Sequence, residues 1–212
     1  RLGFALGIPL IAFASVIRRY LHESPAFLHM QQQKALQGKA AKTPLSEVLQ
    51  LKYLPSLLLV FLVTALWCLG IWTVQAWLRV YYTDDLGSRN VPQEVGYYIN
   101  TSAILLGALL FVPLGYLSDY LHNGQFRVML AGAVFCAATT PLLTQLVSKG
   151  SESYGALVLG QYAMMVGLSV FGAPMTTWMV GRFPTSVQYS GLAIAYNAAQ
   201  AIFAGPALVV AT

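Results

Sequence analysis

Amide, hydroxyl and indole groups set deep in apolar sequence are the chemically capable residues of this chain. One run carries Thr64, Trp67, Trp72, Thr73 and Gln75, and a second carries Asn100, Thr101 and Ser102. A third holds Gln161 and Tyr162, with Thr176 and Thr177 beyond them, and a fourth holds Tyr196, Asn197 and Gln200. Asn197 and Gln200 are three apart and so share a helix face. An amide buried without a partner in an apolar medium costs roughly 2–7 kcal/mol. Such groups therefore turn inward, where each bonds another helix or touches a solute. As a set they point to a polar cavity at mid-depth. Trp72, Gln75, Asn100, Gln161, Tyr196, Asn197 and Gln200 are the candidate solute contacts. Trp72 and Trp77 can supply an apolar or cation–π wall for a small solute, or equally serve as packing and interface aromatics.

Other chemistries find no residues. No Asp, Glu, Lys, Arg or His lies near the centre of an apolar run; Arg79, Glu94 and Arg127 sit at the edges, and His22, His29 and His122 fall between runs. An ionisable group inside a membrane is the usual proton carrier. If protons drive this protein, the carrier is expected outside the chain. There is no HExxH, no phosphate-cradling glycine loop and no Ser/His/Asp set in the runs. An enzyme is not expected, nor a metal or organic cofactor. Cys68 and Cys136 lie in apolar surroundings and read as packing residues.

The elements that hold these groups follow from composition. Charged residues make up 9 % of the 212 residues and apolar ones 57 %, with mean hydropathy +0.63. An ordinary soluble domain is roughly 25 % charged. The solvent for most of this chain is therefore lipid. Six apolar stretches run over about 2–17, 53–80, 94–117, 127–147, 154–180 and 189–212. A helix needs about 20 apolar residues to cross a bilayer; the last five stretches meet that. Continuous runs, rather than alternating ones, exclude a closed β-barrel. The class is all-α, a polytopic transmembrane helix bundle.

Six of the twelve Lys and Arg fall between Arg18 and Lys52. That is a cytoplasmic-loop pattern rather than a nucleic-acid patch. With this loop inside, the inner loops hold eight basic residues and the outer four. Trp77, Tyr81 and Tyr82 then form an outer interfacial belt. Within the loop, Ser24-Pro25 and Thr43-Pro44 each read as an N-cap followed by Pro at the first helical position. Two short surface helices are expected. A basic loop dividing one helix from the next five suggests a boundary between two halves of a larger bundle. A start without Met and an apolar last stretch are expected of a piece of a longer chain.

Three loop segments carry a family resemblance. Arg18-Arg19-Tyr20-Leu21-His22-Glu23-Ser24-Pro25-Ala26-Phe27 resembles the RR-x-L-x-ESP-x-F stretch after the sixth helix of the metabolite:proton symporter family, within the major facilitator superfamily. Gly115-Tyr116-Leu117-Ser118-Asp119, followed by Arg127, resembles its GxLSDRxGRR loop. The segment from Phe183-Pro184-Thr185 to Gly191, with Tyr196-Asn197 and Ile202-Phe203-Ala204-Gly205, resembles its FPTRVRYSG…YN…IFGG signature. The resemblance covers essentially the whole chain and implies helices six to eleven of twelve. It implies residues 1–19 as the last helix of the N-terminal half, 20–52 as the inter-half loop, and 53–212 as five helices of the C-terminal half. The remainder of the N-terminal half is then a partner from the same longer chain.

The function so implied is proton-driven symport of a small polar metabolite, a carboxylate or osmolyte, by alternating access. A non-transporting sensor or scaffold on the same fold, and an uncoupled facilitator, are the alternatives. The proton gradient would be the driving force, and the inner plasma membrane the location. Asp119 ends a membrane helix at the inner surface, where an acid can dock on the positive end of another helix. Asp119 and Arg127, with Glu23 and Arg182, are the candidate inner-gate residues. The chain departs from the pattern at Tyr120, at His122–Phe126, and at Ser186 and Gln188, where the family carries basic residues; Ala204 stands for a glycine.

Overall fold

The structure, a computed structural model, describes residues 7–20, 25, 28–29, 32, 44–83, 91–148 and 154–204. Among these the elements are helical. The chain divides into two units, Arg1–Thr43 and Pro44–Thr212. In the first, α1 (Gly7–Tyr20) exposes Ile11, Phe13, Val16 and Ile17 and ends on Arg18 and Arg19. The first expected surface helix lies largely outside the described residues; Pro25, Leu28, His29 and Gln32 are helical.

The second unit opens with α2 (Pro44–Val48), the second expected short helix, and a 3-10 turn at Leu51–Tyr53. It therefore takes in the stretch 44–52, which the sequence assigns to the loop. The reason is Val48, which is fully buried against Val60, Met179, Phe183 and Val187. A polar connection would have no such anchor.

Next comes α3 (Leu54–Trp72), with Pro55 in its first turn, where a missing N–H costs no hydrogen bond. The chain continues through a π-helical segment, Thr73–Trp77, into α4 (Leu78–Thr83). Then follow α5 (Gln93–Tyr120), α6 (Gly124–Ser148), α7 (Tyr154–Gly172), α8 (Met175–Val180) and α9 (Gln188–Phe203). Four stretches are long and apolar enough to cross a membrane: Leu51–Tyr81, Gln93–Tyr120, Gly124–Leu146 and Tyr154–Val180. They match four of the six runs seen in sequence. Over the described residues, α1 and α9 have 14 and 16 residues.

The packing confirms lipid as the solvent. On α3 the buried positions are Val60, Thr64, Ala65, Cys68 and Ile71, and the exposed ones include Leu58, Leu62, Leu66 and Leu69. The outward face is as greasy as the inward one, a pattern that water would not tolerate. With no water at hand, backbone groups must bond within the helix. Hydroxyls follow the same rule: Thr139 and Thr140 donate to the carbonyls of Phe135 and Cys136, one turn before Pro141.

Small residues set the closest helix approaches. α6 and α7 cross at Gly132, where a side chain would meet the Phe171 backbone, and at Gly167, which faces Phe135 and Cys136. α5 presents Gly96, Ile99, Ala103 and Gly107 inward, and Gly107 lies against Met165 and Ser169 of α7. α3 pairs with α9. At the turn joining α5 to α6, Asn123 has φ 52°, a left-handed conformation that Asn tolerates. Gly124 sits directly on the Ser118 carbonyl with no room for a side chain.

Candidate functional site

The amides of the second unit separate into two groups. Gln161 of α7 is completely buried. Its Nε2 donates to Asn100 Oδ1 on α5 at 2.8 Å and to the Val74 carbonyl of the π-helical segment at 3.4 Å. One amide thus ties three elements together. Gln200 of α9 belongs to the other group. It accepts from Trp72 Nε1 at 3.4 Å, and its own Nε2 donates to the Tyr196 hydroxyl at 2.9 Å.

A cleft of about 490 Å³ opens beside Gln200. Its wall is largely aromatic and aliphatic: Trp67, Ile71, Trp72, Ile104, Phe111 and Met165, with Gln75 and Gln200 as its amides. The helix faces that form it follow from sequence spacing. Ile71, Trp72 and Gln75 flank the start of the π-helical segment; Ile104, Ala108 and Phe111 recur at i, i+4, i+7 along α5. Gly107 keeps that face of α5 low and lets Met165 reach the wall. Few directed polar groups in an apolar concavity is the usual build of a small-molecule site. No ionisable side chain lines this wall among the described residues. A net-neutral solute suits it better than an ion, whose charge would stay unbalanced in a medium of low dielectric.

Of the seven candidate contacts, Trp72, Gln75 and Gln200 meet at the cleft, and Tyr196 touches it through Gln200. Asn100 and Gln161 pair with each other in the brace. Asn197 is exposed and donates to the Ala193 carbonyl of its own helix at 2.8 Å. Sequence reasoning passed over Trp67 and Phe111 as wall residues. Trp67 was visible as a mid-run indole; Phe111 carried no signal apart from its place on the face of α5 that includes Ile104.

At the α5–α6 turn, a more polar cleft of about 470 Å³ holds Ser118, Asp119, Asn123, Gln125, Trp178 and Arg182. The Arg182 guanidinium lies 4.3 Å from the Trp178 ring centroid. Two of the four candidate gate residues, Asp119 and Arg182, are therefore brought together. Arg127 is exposed, one turn into α6, and does not line the cleft. Glu23 lies outside the described residues. Among the described residues no cluster of three or more metal-ligating side chains occurs.

The chain is 28 % identical over 218 residues to a protein assigned to metabolite transport in Haemophilus influenzae, covering 95 % of this chain and 46 % of that protein. It is 27 % identical over 209 residues to the proline/betaine transporter of Escherichia coli K12, covering 93 % and 39 %. It is 28 % identical over 204 residues to the glycine betaine/proline/ectoine/pipecolic acid transporter OusA of Dickeya dadantii, again covering 93 % and 39 %. The chain thus spans less than half the length of these relatives. No family model matches it, and no solved structure does. The four apolar helices and these relatives make it an integral membrane protein homologous to transporters.

Proposed function

We propose, for a chain whose relatives and motifs are those of the major facilitator superfamily of transporters, that it forms one wall of a path for a small zwitterionic osmolyte or related polar metabolite. The observation that carries this reading is the meeting of Trp72 and Gln200 at the rim of the 490 Å³ cleft. A solute with a quaternary or secondary ammonium and a carboxylate fits both features. The ammonium lies against Trp67, Trp72 and Phe111, where cation–π attraction contributes about 0.5–2 kcal/mol. The carboxylate takes N–H bonds from the amides of Gln75 and Gln200. Relatives named for proline, betaine and ectoine support this choice of solute.

Movement of the solute is alternating access. The two halves of the full-length protein rock about the cleft, and the polar cleft around Asp119 and Arg182 belongs to the inner gate. The driving force is a proton gradient, its carrier on a residue outside the described wall. The loop over 20–52 lies on the cytoplasmic side of the plasma membrane.

The test is uptake by the full-length protein in liposomes under an imposed pH gradient. Labelled betaine and proline are expected to accumulate, and a protonophore abolishes accumulation. Trp72→Ala raises the half-saturation concentration for betaine about tenfold while affecting a neutral polyol little. Binding without accumulation would make the protein a sensor. Accumulation that ignores the protonophore would remove the proton from the scheme.

A further inference from the structure

We infer that Gln161 is a positioning residue for the solute cleft, acting through the Val74 carbonyl on the π-helical segment that carries Gln75. The inference rests on the transport reading for its consequence but not for its geometry.

Thr73–Trp77 is a local widening inside a membrane span. Its bonding is offset: the N–H of Leu78 reaches back five residues to the Thr73 carbonyl. At the entrance, the N–H of Thr73 is shared between the Gly70 and Leu69 carbonyls, and the Thr73 hydroxyl donates to Leu69 as well. A widened turn holds poorer backbone bonds than the α-helix on either side and persists where something outside it compensates. Here the outside partner is Gln161. Its two amide hydrogens go to Val74 of the widened turn and to Asn100 of α5. Gln161 itself has no exposed surface, and Asn100 is half-buried. Asn100 anchors it on α5, the helix that also carries Ile104 and Phe111 of the cleft wall.

The widened turn lies between cleft and brace. Its Gln75 side faces the cleft and its Val74 side faces the core. Reverting it to regular α-bonding shifts the register by one residue, roughly 100° of rotation. Gln75, midway through the widened turn, would take part of that rotation and change its aim into the cleft. The amide that never touches the solute thus sets where the amide that does touch it stands.

The experiment uses the full-length protein in liposomes with two independent readouts. Amide hydrogen exchange over 73–79 needs no solute and no transport. In Gln161→Leu, exchange there is expected to rise roughly threefold to tenfold, the range of one interhelical hydrogen bond in a membrane, while α6 is unchanged. The second readout is betaine uptake per folded protein. Half-saturation rises by the same factor while the maximal rate stays within about twofold, and the swap Gln161→Asn with Asn100→Gln restores much of the loss. Asn100→Leu serves as a second variant if Gln161→Leu fails to fold, with the same exchange signature expected. Unchanged exchange over 73–79 in either folded variant overturns the brace. A loss spread evenly over all helices makes Gln161 merely structural and overturns it too. If wild-type protein moves no solute yet exchange behaves as expected, the transport reading falls and the brace stands.

Discussion

Gln161 and Gln200 are the same side chain in two different settings of one helix bundle. On the α5–α6–α7 side, helices meet through glycines, and Gln161 has no exposed surface. On the α3–α9 side, two helices carry a Trp–Gln contact at the rim of an open cleft. The first side is built to keep its distances. The second, on the proposed reading, is where a solute enters. Burial, not residue type, is what separates these two amides.

The sharpest way to break this contrast is at the tight crossing. Gly132→Val puts methyl groups into the Phe171 backbone. A cost of about 3 kcal/mol is expected, the upper end of overpacking. Unfolding of the detergent-solubilised protein would read it. A folded, near-wild-type variant would mean that α6 and α7 are less closely joined than the contrast requires. A smaller effect is expected on the open side. Gln200→Leu should leave stability within about 0.5 kcal/mol, since its partners can reach other groups at the cleft. Its half-saturation for a zwitterion should rise about tenfold, the worth of one lost charge-assisted hydrogen bond. A stability loss approaching that of Gly132→Val would erase the distinction. The smallest effect belongs to Asn197→Ala. This amide bonds only its own helix among the described contacts, so uptake and stability should both stay near wild type; a strong transport defect would show that Asn197 turns into the path.

Much of this architecture is legible in the sequence. Hydropathy alone finds the four long spans, because lipid requires length and apolarity together. Thr43-Pro44 announces α2, and the mid-run amides announce that something polar is enclosed. What hydropathy cannot tell is which face of each helix looks inward. On α3 the leucines facing lipid and the valine and cysteine facing the core are equally apolar, so periodicity carries little contrast. Nor can it sort the amides. Gln161 and Asn100 are 61 residues apart, and Trp72 and Gln200 are 128 apart. Their pairing is set by how helices cross; for Gln161 and Asn100 that crossing runs past Gly107, which lies against Met165 and Ser169. The widened turn at Thr73–Trp77 has no proline or glycine inside it to advertise it. It is a compromise between two sets of contacts, visible only once both are in place.

Val48 adds a mechanical point. Its side chain shares a buried cluster with Met179, Phe183, Val187 and Ala195, so α2 is fastened to the foot of α9. Gln200 rides on the same rod, about 14 Å above Gly191 at 1.5 Å per residue. Trimming Val48 would therefore loosen the base of the helix that presents Gln200 at the cleft.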